Sequence, residues 1–148
     1  MFGRILACID GTPPGREVLR SAVDLAHRFT SSLTLITVLP PGGEHAGADL
    51  EVLVPADEAG LSIRHQLERA RDEALARGVP HVDIVLLRGS PADSILQYLR
   101  THPPDLVMVG TRGLSRSSRL LRESVSNRLV NEASCNVLVV RRSGRKRP

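Results

Sequence analysis

Residues 4–12 read RILACIDGT, five consecutive apolar positions that stop at an aspartate, a glycine and a threonine. A short apolar run with no polar alternation is the pattern of a strand covered on both faces, as in parallel sheets flanked by crossover helices. A second run ends in a similar way about a hundred residues later. It is DLVMVG, residues 105–110, followed by Thr111, Arg112 and Gly113. Working outward from this pair, LTLITVL (33–39), VDIVLL (82–87) and NVLVVR (136–141) also qualify as strands, and the first strand is expected over residues 4–10. The density of Val, Ile and Leu predicts that the first, fourth and fifth strands are covered on both faces.

Helical patterns fill the gaps. Val18, Leu19, Ala22, Val23, Ala26 and Phe29 recur at helical spacing and leave Arg16, Arg20, Asp24 and Arg28 for solvent. A second helix is expected over 57–77, closed by Gly78, a residue suited to the left-handed conformation that ends helices. The third begins at Ser90, with Pro91 in the first helical position and Asp93 three after the cap, so the exposed amides meet an oxygen partner. Ile95, Leu96 and Leu99 form its buried stripe. The fourth runs over 124–133 with Val125, Leu129 and Val130 inward. Residues 40–56, PPGGEHAGADLEVLVPA, fit neither period and read as a mobile surface excursion.

Strands alternating with helices predict an α/β fold: a doubly wound, Rossmann-like, five-stranded parallel sheet, strand order 3-2-1-4-5, with helices on both faces. One domain over residues 1–142 is expected, with residues 143–148 as a disordered basic tail. No internal repeat or domain boundary is visible. A chain of 148 residues with 41% hydrophobic side chains suffices for one core. Cys8 and Cys135 sit in or beside apolar runs without metal-ligand spacing and read as reduced packing residues. No apolar stretch approaches the ~20 residues of a membrane span, and residues 1–10 enter a strand pattern directly, so a cytoplasmic protein with no membrane partner is expected.

Charge is uneven. Residues 1–109 carry 10 basic and 14 acidic side chains, residues 110–148 carry 10 and 2. Arg141, Arg142, Arg145, Lys146 and Arg147 account for much of the excess and read as a solvated terminus. Nucleic acid is not the expected partner, because Phe2, Phe29 and Tyr98 are the only aromatic side chains and stacking platforms are missing.

In a doubly wound sheet a crevice opens at the carboxyl ends of the two strands flanking the reversal of strand order, here the first and fourth. Both end in suggestive chemistry. Asp10 is placed to accept from a ribose hydroxyl or an adenine amine, and equally to form a turn or helix cap. Gly110 and Gly113 let backbone amides approach an anion beside a helix start.

The segments RILACIDGT, GSPADSILQYL (89–99) and VGTRGLSRSSRLLRESVSNRLVNEASCNVLVVR (109–141) resemble the universal stress protein family over nearly the full chain. Members that bind ATP carry GxxG, nine further residues, then Gly and Ser or Thr. Gly110, Gly113 and Ser124 match, whereas Glu123 stands in the third glycine position. The resemblance implies an ATP or AMP site, with magnesium accompanying ATP. Its base and ribose contacts fall on Ile9, Asp10 and Val38, its phosphate loop on Gly110, Arg112, Gly113, Ser124, Val125 and Ser126, and Val109 is a further nucleotide-binding position. Ile9 and Val38 read equally well as buried strand residues. Glu123 brings a side chain and a negative charge to the phosphates and predicts weakened binding. Its carboxylate is also suited to the amino end of the last helix, while Arg112, Arg116, Arg119 and Arg122 are available to pair with it.

His27, His45, His65, His81 and His102 are scattered, with no HExxH spacing and no GxSxG elbow, so no catalytic residue and no metal site are assigned. A nucleotide-binding stress-response module is the leading expectation, with slow ATP hydrolysis allowed by the resemblance. The alternative is a nucleotide-free interaction protein, favoured by Glu123. The resemblance also implies a homodimer formed through the last strand, with Val137, Leu138, Val139 and Val140 as its apolar edge, and protein partners that the residues do not identify.

Overall fold

A computed structural model describes residues 2–10, 13–40, 58–111 and 125–141. Five parallel strands, β1 (Arg4–Cys8), β2 (Ser32–Leu39), β3 (His81–Arg88), β4 (Leu106–Gly110) and β5 (Asn136–Val140), form one sheet in the order β3-β2-β1-β4-β5. The crossovers are α1 (Pro13–Phe29), α2 (Glu58–Ala76), α3 (Pro91–Thr101) and α4 (Val125–Glu132). This is the expected doubly wound fold.

Right-handed crossovers decide which helix covers which face. The strands move one way from β1 to β3, so α1 and α2 share a face, where Val18, Ala22, Leu67 and Ala74 pack on Ile5, Ala7 and Leu33. The chain then returns past β1 to β4, which puts α3 and α4 on the other face, where Ile95, Leu99 and Leu129 pack on Leu6, Ile36 and Val107. β1 and β4 are therefore covered on both sides, as their sequence predicts.

β5 departs from that expectation. It is an edge strand whose residues are half-buried or exposed, with Leu138 38% exposed. Two inward assignments are also corrected. Phe29, the last residue of α1, is 52% exposed at the margin of the core, and its ring rests edge-on against Phe2 with centroids 5.7 Å apart. Val130 is 55% exposed, since one residue beyond the fully buried Leu129 a helix has turned about 100° away from the core.

The helix ends follow local chemistry. Gly78 closes α2 with φ +96°, its amide bonded to the Leu75 carbonyl at 3.0 Å, and the Val79 amide reaches Ala74 at 3.2 Å. Ser90 precedes α3 and Pro91 starts it, but the serine side chain makes no capping hydrogen bond. Asp93 is drawn instead to Arg128 of α4, with Nη1 to Oδ1 at 2.6 Å, while Arg128 Nε also donates to Glu132 at 2.8 Å. That hydrogen bond from Arg128 holds the Glu132 carboxyl below the usual range. Cys8 and Cys135 are free thiols, and burial pushes Cys8 up to about 12, so it stays protonated and packs. The 40–56 excursion, apart from Pro40, and the basic tail lie outside the described residues.

Leu129→Ala should cost about 2–5 kcal/mol, the loss expected for a fully buried leucine. Val130→Ala should change stability by less than about 0.5 kcal/mol, as at an ordinary surface position. Urea unfolding of the two variants checks the burial assigned to each face of α4.

Candidate functional site

β1 and β4 pair only from Ile5 opposite Leu106 to Ala7 opposite Met108. Beyond that point each chain turns to its other neighbour. The Ile9 amide donates to the Ile36 carbonyl of β2 at 2.9 Å, and the Thr111 amide donates to the Val140 carbonyl of β5 at 3.3 Å. The two strand ends therefore splay apart, which opens the crevice expected where strand order reverses.

Thr37, 5% exposed, secures one side of the crevice. Its hydroxyl donates to the Ile9 carbonyl at 2.7 Å, so the end of β1 is held to β2 by a side chain as well as by the backbone. Asp10 follows, half-buried, with its carboxylate directly against the first turn of α1. A Cβ on Gly15 would collide with that carboxylate and lie 3.0 Å from the Asp10 backbone nitrogen. The absent side chain lets the carboxylate approach the amino end of the helix, where the dipole favours negative charge.

Next to Asp10 lies a cleft of about 440 Å³ between α1 and α2. Ile9, Leu19, Ile63, Leu67 and Ala70 give it apolar lining, and Asp10, Arg16, Thr37, Gln66, Arg69 and Glu73 give it polar groups. Of the nucleotide contacts assigned in the sequence, Ile9 and Asp10 line this cleft. Val38 and Val109, 5% and 2% exposed, lie in the layer under α3 and α4. Gly110 ends β4, and Val125 and the buried Ser126 open α4. Gly11, Thr12, Arg112, Gly113, Glu123 and Ser124 lie outside the described residues. Among the described residues no group of three or more His, Cys, Asp or Glu side chains stands together as a metal cluster, and no helix is long and apolar enough to cross a membrane.

Sequence reasoning missed the cleft's helical walls. A signal was present in α2, where Gln66, Arg69 and Glu73 recur at i, i+3 and i+7 beside the apolar Ile63, Leu67 and Ala70. Nothing local distinguished Thr37 from an ordinary strand threonine.

Glycine to alanine inside a helix ordinarily stabilises by about 0.5–1 kcal/mol. Gly15→Ala should instead destabilise by about 1–3 kcal/mol, because the new methyl displaces the Asp10 carboxylate or its backbone. Urea unfolding measures the sign, and a stabilised variant would show that Asp10 does not sit against this turn.

A family model described as the universal stress protein family matches residues 1–141. The "Universal stress protein in QAH/OAS sulfhydrylase 3'region" of Thermus aquaticus is 35% identical over 143 residues, covering 95% of this chain and all of that protein. Among solved structures, a universal stress protein in complex with cAMP superposes with a TM-score of 0.73 at 22% identity, covering 96% of this chain and 98% of that one. The universal stress protein from Archaeoglobus fulgidus in complex with dAMP superposes with a TM-score of 0.68 at 20% identity, covering 94% and 98%. The matched residues take in both splayed strand ends and the helices beside them, and the chain belongs to the universal stress protein family.

Proposed function

We propose that this chain binds an adenine nucleotide, ATP or AMP, in the crevice at the carboxyl ends of β1 and β4, and acts by presenting its nucleotide state to protein partners rather than by catalysis. The observation that carries this reading is the divergence of Ile9 toward β2 and Thr111 toward β5. It leaves room between Asp10 and the end of β4 for a ligand whose hydroxyls or amine the carboxylate accepts from. The cAMP and dAMP complexes of the two structural relatives support an adenine ligand. Magnesium would accompany ATP, slow hydrolysis of bound ATP is compatible with this role, and the cytoplasm is the proposed place of action. Glu123 stands where the ATP-binding pattern has its third glycine and sets the strength of phosphate binding.

Calorimetric titration of ATP and AMP tests the reading. Wild type should bind, Glu123→Gly should bind at least tenfold more tightly, about 1.4 kcal/mol, and Asp10→Ala should bind more weakly. Binding by Glu123→Gly alone would make this a nucleotide-free family member acting through its surface. No binding by either protein would refute the nucleotide reading outright.

The edge strand supports a second part of the proposal. Among the described residues β5 pairs with β4 alone, and its Leu138 is 38% exposed among half-buried valines. An apolar edge with free backbone groups is a template for strand pairing, and two copies joining β5 to β5 about a twofold axis cover it. Sedimentation at micromolar concentration should give twice the 16.1 kDa of one chain, and Leu138→Asp should shift the population toward monomer. A wild-type species of one chain's mass would end the dimer proposal.

A further inference from the structure

The arginines of α1 and α2 divide into two groups. Arg20 pairs with Glu17 at 3.6 Å, Arg28 with Asp24 at 3.4 Å and Arg64 with Glu68 at 3.2 Å. Arg71 pairs with Asp72 at 3.4 Å, and Arg77, just past the end of α2, with Glu73 at 3.3 Å. Arg16 and Arg69 have no such partner among the described residues. These two are also the arginines that line the cleft between the helices, one on each helical wall.

We infer that this cleft is a phosphate-binding site, in which Arg16 and Arg69 hold a phosphate group from either side and the apolar lining takes the organic body of the same ligand. The charge in the cleft favours an anion more than a count of its residues suggests. Arg16, Arg69, Asp10 and Glu73 sum to zero, but Glu73 is engaged by Arg77 and Asp10 lies against the positive end of α1. The two guanidinium groups are what remains. A guanidinium offers a planar fork of donors that matches phosphate oxygens, and two of them acting together hold an anion that surface lysines would exchange with water. About 440 Å³ lies within the range of small-molecule sites, and apolar lining with a few convergent polar groups is their usual composition. Gln66, which offers both a donor and an acceptor, is placed to orient the body of the ligand.

This site lies on the α1–α2 face, away from the stretch from Gly110 to Ser126 on which the family resemblance places the phosphates. It shares only Ile9 and Asp10 with the adenine reading. The ligand class is a phosphorylated small molecule of about nucleoside monophosphate size.

The test titrates AMP, adenosine and pyrophosphate into wild type and into Arg16→Gln and Arg69→Gln. Both arginines are exposed helix residues, so circular dichroism should show the variants folded as wild type is. AMP affinity falling at least tenfold in each variant, with adenosine affinity unchanged, is the expected result. AMP binding equally to wild type and both variants overturns the inference and leaves the nucleotide reading intact. Pyrophosphate binding that both variants abolish, with no AMP binding, upholds the cleft and removes the nucleotide reading. No binding of AMP or pyrophosphate to wild type overturns both.

Discussion

Two backbone hydrogen bonds that point away from each other organise this molecule. The Ile9 amide goes to β2 and the Thr111 amide goes to β5, so the central strands part after three paired positions. An extra pair between β1 and β4 would close the crevice, and Asp10 would have no space to face. The reversal of strand order makes the parting unavoidable, because the crossovers after β1 and β4 leave the sheet on opposite faces.

The other end of the sheet is closed. The Arg4 amide donates to the Asp105 carboxylate at 2.8 Å, the Asp105 amide returns to the Arg4 carbonyl at 2.9 Å, and Asn136 reaches the Asp105 carbonyl at 3.2 Å. One aspartate thus ties β1, β4 and β5 where they begin. The Ser31 hydroxyl donates to the Phe2 carbonyl, fixing the entry to β2 at the same end. Hydrogen bonds tie neighbouring strands together where they start and the central strands part where they finish, which matches the general habit of placing function on the connections of a rigid scaffold.

The architecture was legible because covered parallel strands and amphipathic crossovers leave strong periodic signals, and Gly78 and Pro91 punctuate them in the expected places. What failed was depth. Periodicity gives the direction of a side chain around its helix, so Phe29 looked inward, but direction does not say whether the core extends to the end of that helix, and at Val130 the apolar residue type alone suggested an inward direction that its place beside Leu129 forbids. β5 read like β1 because composition does not reveal that a strand has only one neighbour. The candidate site was legible at Asp10 and the strand ends, where glycine and a charged residue interrupt apolar runs. It was not legible at Arg16 and Arg69, since two arginines more than fifty residues apart line one cleft only once their helices lie side by side.

Parallel strands also give the molecule a polarity that matters for handling it. β1 begins at the end that Asp105 ties together, whereas β5 delivers the chain to the end where the crevice opens. A protein anchored to a surface through its first residues would turn its crevice outward to the solution. A fusion joined after Val140 would be delivered beside the crevice and compete for the space in front of it. Immobilised assays and fluorescent labels therefore belong at the start of this chain.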